Sequence, residues 1–155
     1  MKRVLLIHGD PGNGKSTLAK ILKDQYFFNT VPVDDVYVDF ILNKFHSLHF
    51  EALNRYIAPH YFWIREYHEY IRKDLGRDPI DDWHEHLLTT IKELSNLYDD
   101  LVVEGFLLYD CKDQIENALP KGVKTFQVYV KDREYTVQDK IVVPEQIAAL
   151  GKASG

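Results

Sequence analysis

Four short apolar runs stand out along the chain: Val4 to His8, Thr30 to Val33, Leu101 to Leu107 and Thr125 to Val130. Each is rich in Val, Ile, Leu or Phe. Continuous runs of this length predict strands covered on both faces, as in a parallel sheet. Between them the spacing changes to that of helices. Ser16 to Tyr26 places Leu18, Ile21, Leu22 and Tyr26 on one face, and Asp82 to Tyr98 does the same with Trp83, Leu87, Ile91, Leu94 and Tyr98. Asp82 and Glu85 have the spacing of a capping pair for that second helix. A shorter helix, Lys112 to Leu119, stops before Pro120.

Strands and helices in alternation predict an α/β fold: a three-layer sandwich whose sheet has four or five strands, mostly parallel, with helices on both faces. The stretch from Val36 to Arg77 carries no clear strand and predicts a helical insertion at about 36–80, two helices broken near Pro59. In "PHYFWIREYHEYIRK" Ile64, Tyr67 and Ile71 share a face, and substrate selection is expected in this insertion. With no repeat and no Pro/Ser-rich linker, residues 1–155 are expected to form one domain.

Composition narrows the setting. A net charge of −5 argues against a protein that coats nucleic acid or an anionic membrane, so neither is an expected partner. One cysteine, Cys111, excludes an internal disulfide and favours a reducing, cytoplasmic compartment. The apolar run near the N-terminus is too short for a signal peptide, and no stretch approaches the ~18 apolar residues of a membrane span. Oligomeric state leaves no mark on the sequence.

The chemistry begins in "HGDPGNGKST", directly after the first strand. Gly9, Gly14, Lys15 and Ser16 fit the spacing G-x-x-x-x-G-K-[ST]. The glycines let the backbone of Gly9, Asp10, Pro11, Gly12, Asn13 and Gly14 curl so that successive N–H groups point inward at phosphate oxygens. Lys15 then reaches the outer phosphates, Ser16 offers its hydroxyl to Mg²⁺, and Thr17 continues the N-terminal turn whose positive end faces the anion. A strand before the loop and a helix after it complete the context the motif requires. The expected ligand is a nucleotide phosphate.

Such a loop needs carboxylates to hold Mg²⁺ and, for transfer to a hydroxyl, to orient the acceptor. Asp34 and Asp35, in "VPVDDVY", follow the second strand; Asp35 is preferred over Asp34 as the orienting group, and capping of the next helix is compatible with that role. Glu104, in "LVVEGFLLYD", comes after three apolar residues and before Gly105. A carboxylate at that depth is costly unless a metal or metal-bound water compensates it. The metal set expected is therefore Ser16, Asp35 and Glu104.

Taken together, "GDPGNGKSTLAK", "VDDVY" and "LVVEGFLLYD" resemble the small P-loop kinases, most closely the uridine and nicotinamide riboside kinases. The resemblance covers the first half of the core and the third strand, not the insertion. It implies a P-loop kinase-like fold, ATP and Mg²⁺ as cofactors, and a small-molecule phosphate acceptor. It also implies an aspartate of the Asp34–Asp35 pair as base or orienting group, and Glu104 in support of Mg²⁺ or acceptor. The chain departs from the family after the fourth strand, where those kinases have a lid with two or more arginines. Here "VKDREYTVQDK" offers Lys131, Arg133 and Lys140, and Arg133 is the one lid-arginine candidate. Two alternatives stay open: a nucleoside monophosphate kinase, with the insertion's Arg55, Arg65, Arg72 or Arg77 on an acceptor phosphate, and a nucleotide-binding module without significant turnover. No dedicated zinc site is expected from the histidines: His84 and His86, two apart on a helix, diverge, and His46 and His49 lack an accompanying carboxylate signature. The aromatics from Tyr56 to Tyr70 are read as the insertion's own core.

Overall fold

The computed structural model describes residues 2–10, 12–45 and 80–152. In chain order these form β1 (Lys2–His8), α1 (Lys15–Tyr26), β2 (Asn29–Pro32), α2 (Val33–Phe45), α3 (Ile80–Leu97), β3 (Asp100–Glu104), a 3₁₀ turn (Phe106–Leu108), α4 (Lys112–Ala118), β4 (Val123–Lys131), β5 (Glu134–Val137), β6 (Lys140–Val142) and α5 (Pro144–Ala148). The chain divides into two compact units, residues 1–34 with 88–155 and residues 35–87. The insertion's expected break near Pro59, its aromatic and arginine residues from 55 to 77, and His46 and His49 lie outside the described residues.

The first unit is built on a six-stranded sheet in the order β2-β3-β1-β4-β5-β6. The first four strands in that order run parallel, in register Arg3↔Asp100, Asn29↔Leu101 and Lys2↔Val123. β5 and β6 then return antiparallel. The expected sheet of four or five strands is therefore extended to six and becomes mixed. Glu134–Val137 lies outside the strands expected from the sequence.

Strand ends also differ from the apolar runs. Val33 belongs to α2, because pairing of β2 stops at Pro32↔Glu104. Pro32, with no N–H to donate, is tolerated on this edge strand. β3 ends at Glu104 although the apolar run continues, because Phe106–Leu108 wind into a 3₁₀ turn that buries Leu108. The second long helix begins at Ile80, so Asp82 lies inside it and is not its cap.

Side-chain parity along β1 sorts the layers. Leu5 and Ile7 join Leu18 and Leu22 of α1, and Ile147 and Ala148 of α5, in one buried cluster. Arg3, on the same face and 2% exposed, bonds the Asp100 carboxylate at 2.7 Å and the carbonyls of Ala148 and Leu150. That buried cation, bonded through Nε and Nη1, pins α5 to the sheet, and its removal would leave those groups unsatisfied. On the other face Lys2 Nζ donates to the Ser95 carbonyl of α3 at 2.7 Å, and Gln127 of β4 donates to Asp113 and Glu116 of α4. Helices thus cover both faces, giving the expected three-layer α/β sandwich.

In the second unit Tyr37 and Trp83 pack edge to face at 4.9 Å, and Phe40 sits 5.7 Å from Trp83. His86 is exposed with its ring 5.1 Å from Phe40, while His84 is half-buried. Among the described residues no helix is long and apolar enough to cross a membrane.

Candidate functional site

The loop between β1 and α1 emerges at the carboxyl end of the parallel strands, the edge where open α/β sheets bind ligands. Its first glycine is dictated by a close approach. A Cβ on Gly9 would stand 2.1 Å from the Val130 carbonyl oxygen of β4. Gly14, at φ 107°, is the N-terminal cap of α1 and has no side chain to cap with. The first N–H groups of α1 are therefore left to the solvent side, where an anion can take them.

Lys15 opens α1 and is 4% exposed. Its ammonium folds back to donate to the Gly9 carbonyl at 2.7 Å and the Asp10 carbonyl at 2.8 Å. Burial lowers its pKa, and the nearby carboxylates of Glu104, Asp34 and Asp10 oppose that shift. Those three carboxylates, from three separate segments, converge on one cation.

Glu104 is half-buried at the end of β3, in register with Ile7 on one side and Pro32 on the other. Register with Ile7 places it on the α1 face. With Ser16 it opens a cleft of about 260 Å³ that runs along α1 toward Lys23. Asp34 is half-buried, at the second position of α2. Asp35 is exposed and begins the second compact unit.

Arg133 sits in a hairpin turn. Asp132 and Arg133 form the two-residue link between β4 and β5, both left-handed at φ 52° and 64°. That turn is fastened to the glycine loop. The N–H of Asp132 donates to Asn13 Oδ1 at 3.1 Å, and the N–H of Arg133 donates to the Asn13 carbonyl at 2.9 Å. Asn13 Nδ2 also donates to the Asp10 carbonyl at 3.1 Å. The Arg133 side chain lies against Gly14, where an added Cβ would be 3.4 Å from its Cγ. Sequence reasoning treated Asn13 as one more loop residue. Its role as a clamp depends on a partner 119 residues away, which no local pattern announces.

A fit to Mg²⁺-nucleotide can be judged on these groups. Among the described residues no three His, Cys, Asp or Glu side chains converge as a metal cage. Mg²⁺ seldom uses one: it keeps waters and takes one or two protein ligands beside substrate phosphates. The Ser16 hydroxyl and the Glu104 carboxylate, which share the cleft, fit that requirement.

His8, the last residue of β1, points to the sheet face opposite α1 and is 7% exposed. Its ring lies 5.4 Å from Tyr129 and 6.3 Å from Tyr109. Burial above all, then Lys112 and Lys15, push its pKa down to about 4, with Asp113 pulling the other way. An unfolded chain would take up this proton near the ordinary value of 6.5, and the folded chain only near 4. The stabilisation from neutral His8 is therefore complete above pH 6.5 and is lost as pH falls toward 4, by about 2–3 kcal/mol. Urea unfolding of wild type and His8→Leu at steps between pH 7 and 4 should show the steeper acid loss in wild type alone. Parallel curves would mean His8 is not held neutral.

No protein-family model matches the chain, and no curated protein matches it.

Proposed function

We propose that this protein is a small-molecule kinase of the P-loop type, binding ATP with Mg²⁺ and transferring the γ-phosphate to a hydroxyl of a nucleoside or other small acceptor. One observation carries the proposal. A buried lysine opens α1 behind a backbone-lined loop, and Glu104 ends the strand paired with β1, so both stand at the same end of the sheet.

The residues divide the work. Amides of Gly12 to Ser16 and the α1 N-terminus receive the phosphate oxygens. Lys15 exchanges its two carbonyl partners, wholly or in part, for phosphate oxygens, a charge-assisted contact in a shielded site. Ser16 and Glu104 would hold Mg²⁺, with Asp35 in the metal set expected from sequence. Mg²⁺, when bound, supplies neutralisation of charge on the phosphates. Asp34 or Asp35 orients the acceptor hydroxyl, and Arg133, held beside Gly14, is the lid-arginine candidate.

A second reading, a nucleotide-binding module without significant turnover, is favoured by the segment after Val130. Residues 131–142 form two tight hairpins with Arg133 as their one arginine, and hairpins of this length close over little. Calorimetric titration with MgATP and MgGTP, followed by a screen of acceptors for ADP release, separates the two. Kinase function predicts binding and an acceptor that raises ADP release at least about tenfold over hydrolysis, with Asp34→Asn or Asp35→Asn removing most of that rise. Binding with no effective acceptor favours the module. No nucleotide binding at all would remove both readings.

A further inference from the structure

We infer that the acceptor is an anionic hydroxy compound, a carboxylate or a phosphate monoester, whose charge is held by Lys20 and Lys23 in the cleft opened by Ser16 and Glu104. This rests on the kinase function proposed above and names its substrate class.

Ser16, Lys20 and Lys23 stand at i, i+4 and i+7 on α1, so they share one face. All three line the same cleft of about 260 Å³. At 1.5 Å per residue the run from Ser16 to Lys23 covers about 10 Å of helix. The end at Ser16 and Glu104 belongs to the phosphate chemistry, and the other end carries the two ammonium groups. Neither lysine's side chain makes a hydrogen bond or ion pair among the described residues. Lys23 lies in the last turn of α1, where a cation also favours the helix dipole. Lys20, mid-helix, has no such structural task.

The rest of the lining restricts what enters. Ala19 and Pro32 are its apolar members, and among the described residues no aromatic ring borders it. The volume lies at or below the lower limit of ordinary ligand pockets, which suits a compound of about three to five carbons. Thr30 of β2 adds a hydroxyl on the wall opposite α1. Asp24 also lines the cleft and offsets part of the lysines' charge, as Glu104 does at the other end, so a polyphosphate is disfavoured beside the lysines.

The test pairs neutral and anionic probes of matched length: glycerol with glycerate and glycerol 3-phosphate, and erythritol with erythronate and erythrose 4-phosphate. Each is offered with MgATP for ADP release and, with MgADP, for equilibrium binding by ligand-observed NMR. At least one anionic probe should bind and turn over at least tenfold better than its neutral partner, and the better arm identifies carboxylate or phosphate. In Lys20→Gln/Lys23→Gln its KM should rise at least tenfold with kcat within threefold. Lys20→Arg/Lys23→Arg should retain most of the preference, and melting temperature and MgATP affinity report that each variant is folded. Anion binding lost in the Gln variant without any ADP release would keep the cleft assignment and remove the kinase function. Turnover of neutral probes at rates equal to the anions and unaffected by the Gln variant would keep the kinase and overturn the inference. No probe bound and none turned over would also overturn it.

Discussion

Lys15→Ala is expected to weaken MgATP binding by at least about 100-fold, and to lower any phosphotransfer by about 1,000-fold, with the fold intact. Lys15 is the buried cation on which Glu104, Asp34 and Asp10 converge. Its contacts with phosphate would be charge-assisted and shielded from water, worth about 3 kcal/mol or more in binding. Stability should change far less than function. The variant loses two hydrogen bonds to loop carbonyls but is relieved of a buried charge, and these effects oppose one another. Lys15→Arg should rescue little, because a planar guanidinium cannot replace a compact ammonium folded under the loop. Calorimetry gives the affinity and circular dichroism the fold. A folded Lys15→Ala protein that binds MgATP within threefold of wild type would falsify the assignment of the phosphate site.

Gly9→Ala should be the most damaging single methyl group in the loop. The new Cβ would be 2.1 Å from the Val130 carbonyl oxygen, a backbone atom inside the sheet that cannot swing aside. Separating β1 from β4 by the required distance would disturb the longest register in the protein, Lys2↔Val123 through His8↔Tyr129. A loss of about 4 kcal/mol is expected, or a melting temperature lower by about 10–15 °C. Gly12→Ala is the control. It has φ 78° but nothing within 4 Å of an added Cβ, so only the left-handed backbone costs, about 1 kcal/mol. Urea unfolding of the two variants should separate them by several kcal/mol. Equal effects would mean that conformation, not contact with β4, requires the first glycine.

Much of the site is legible in the chain because its chemistry is local. The spacing of Gly9, Gly14, Lys15 and Ser16 encodes a strand–loop–helix unit, and the structure places all four there. Glu104 is legible for another reason: a carboxylate after three apolar residues needs a purpose, and it lies on the α1 face beside Ser16. Arg133 is different. The sequence marks a cation after the fourth strand, but its position against Gly14 comes from backbone bonds between the hairpin turn and Asn13. The hairpins themselves escape notice because their turns read Asp-Arg and Gln-Asp. Left-handed two-residue turns are ordinarily signalled by Asn-Gly or Asp-Gly, and here four non-glycine residues adopt positive φ.

The α/β class, the covered central strands and the phosphate loop follow from residues within about ten positions of one another, since helix period, apolar runs and glycine spacing are short-range quantities. The end of β3 at Glu104 and the clamp on Asn13 do not. Each depends on which backbone groups find partners across about a hundred residues of chain, as in Arg3↔Asp100 and Asn13 with Asp132. A strand pairs where another strand leaves its N–H and C=O groups exposed, and that is a property of the assembled sheet.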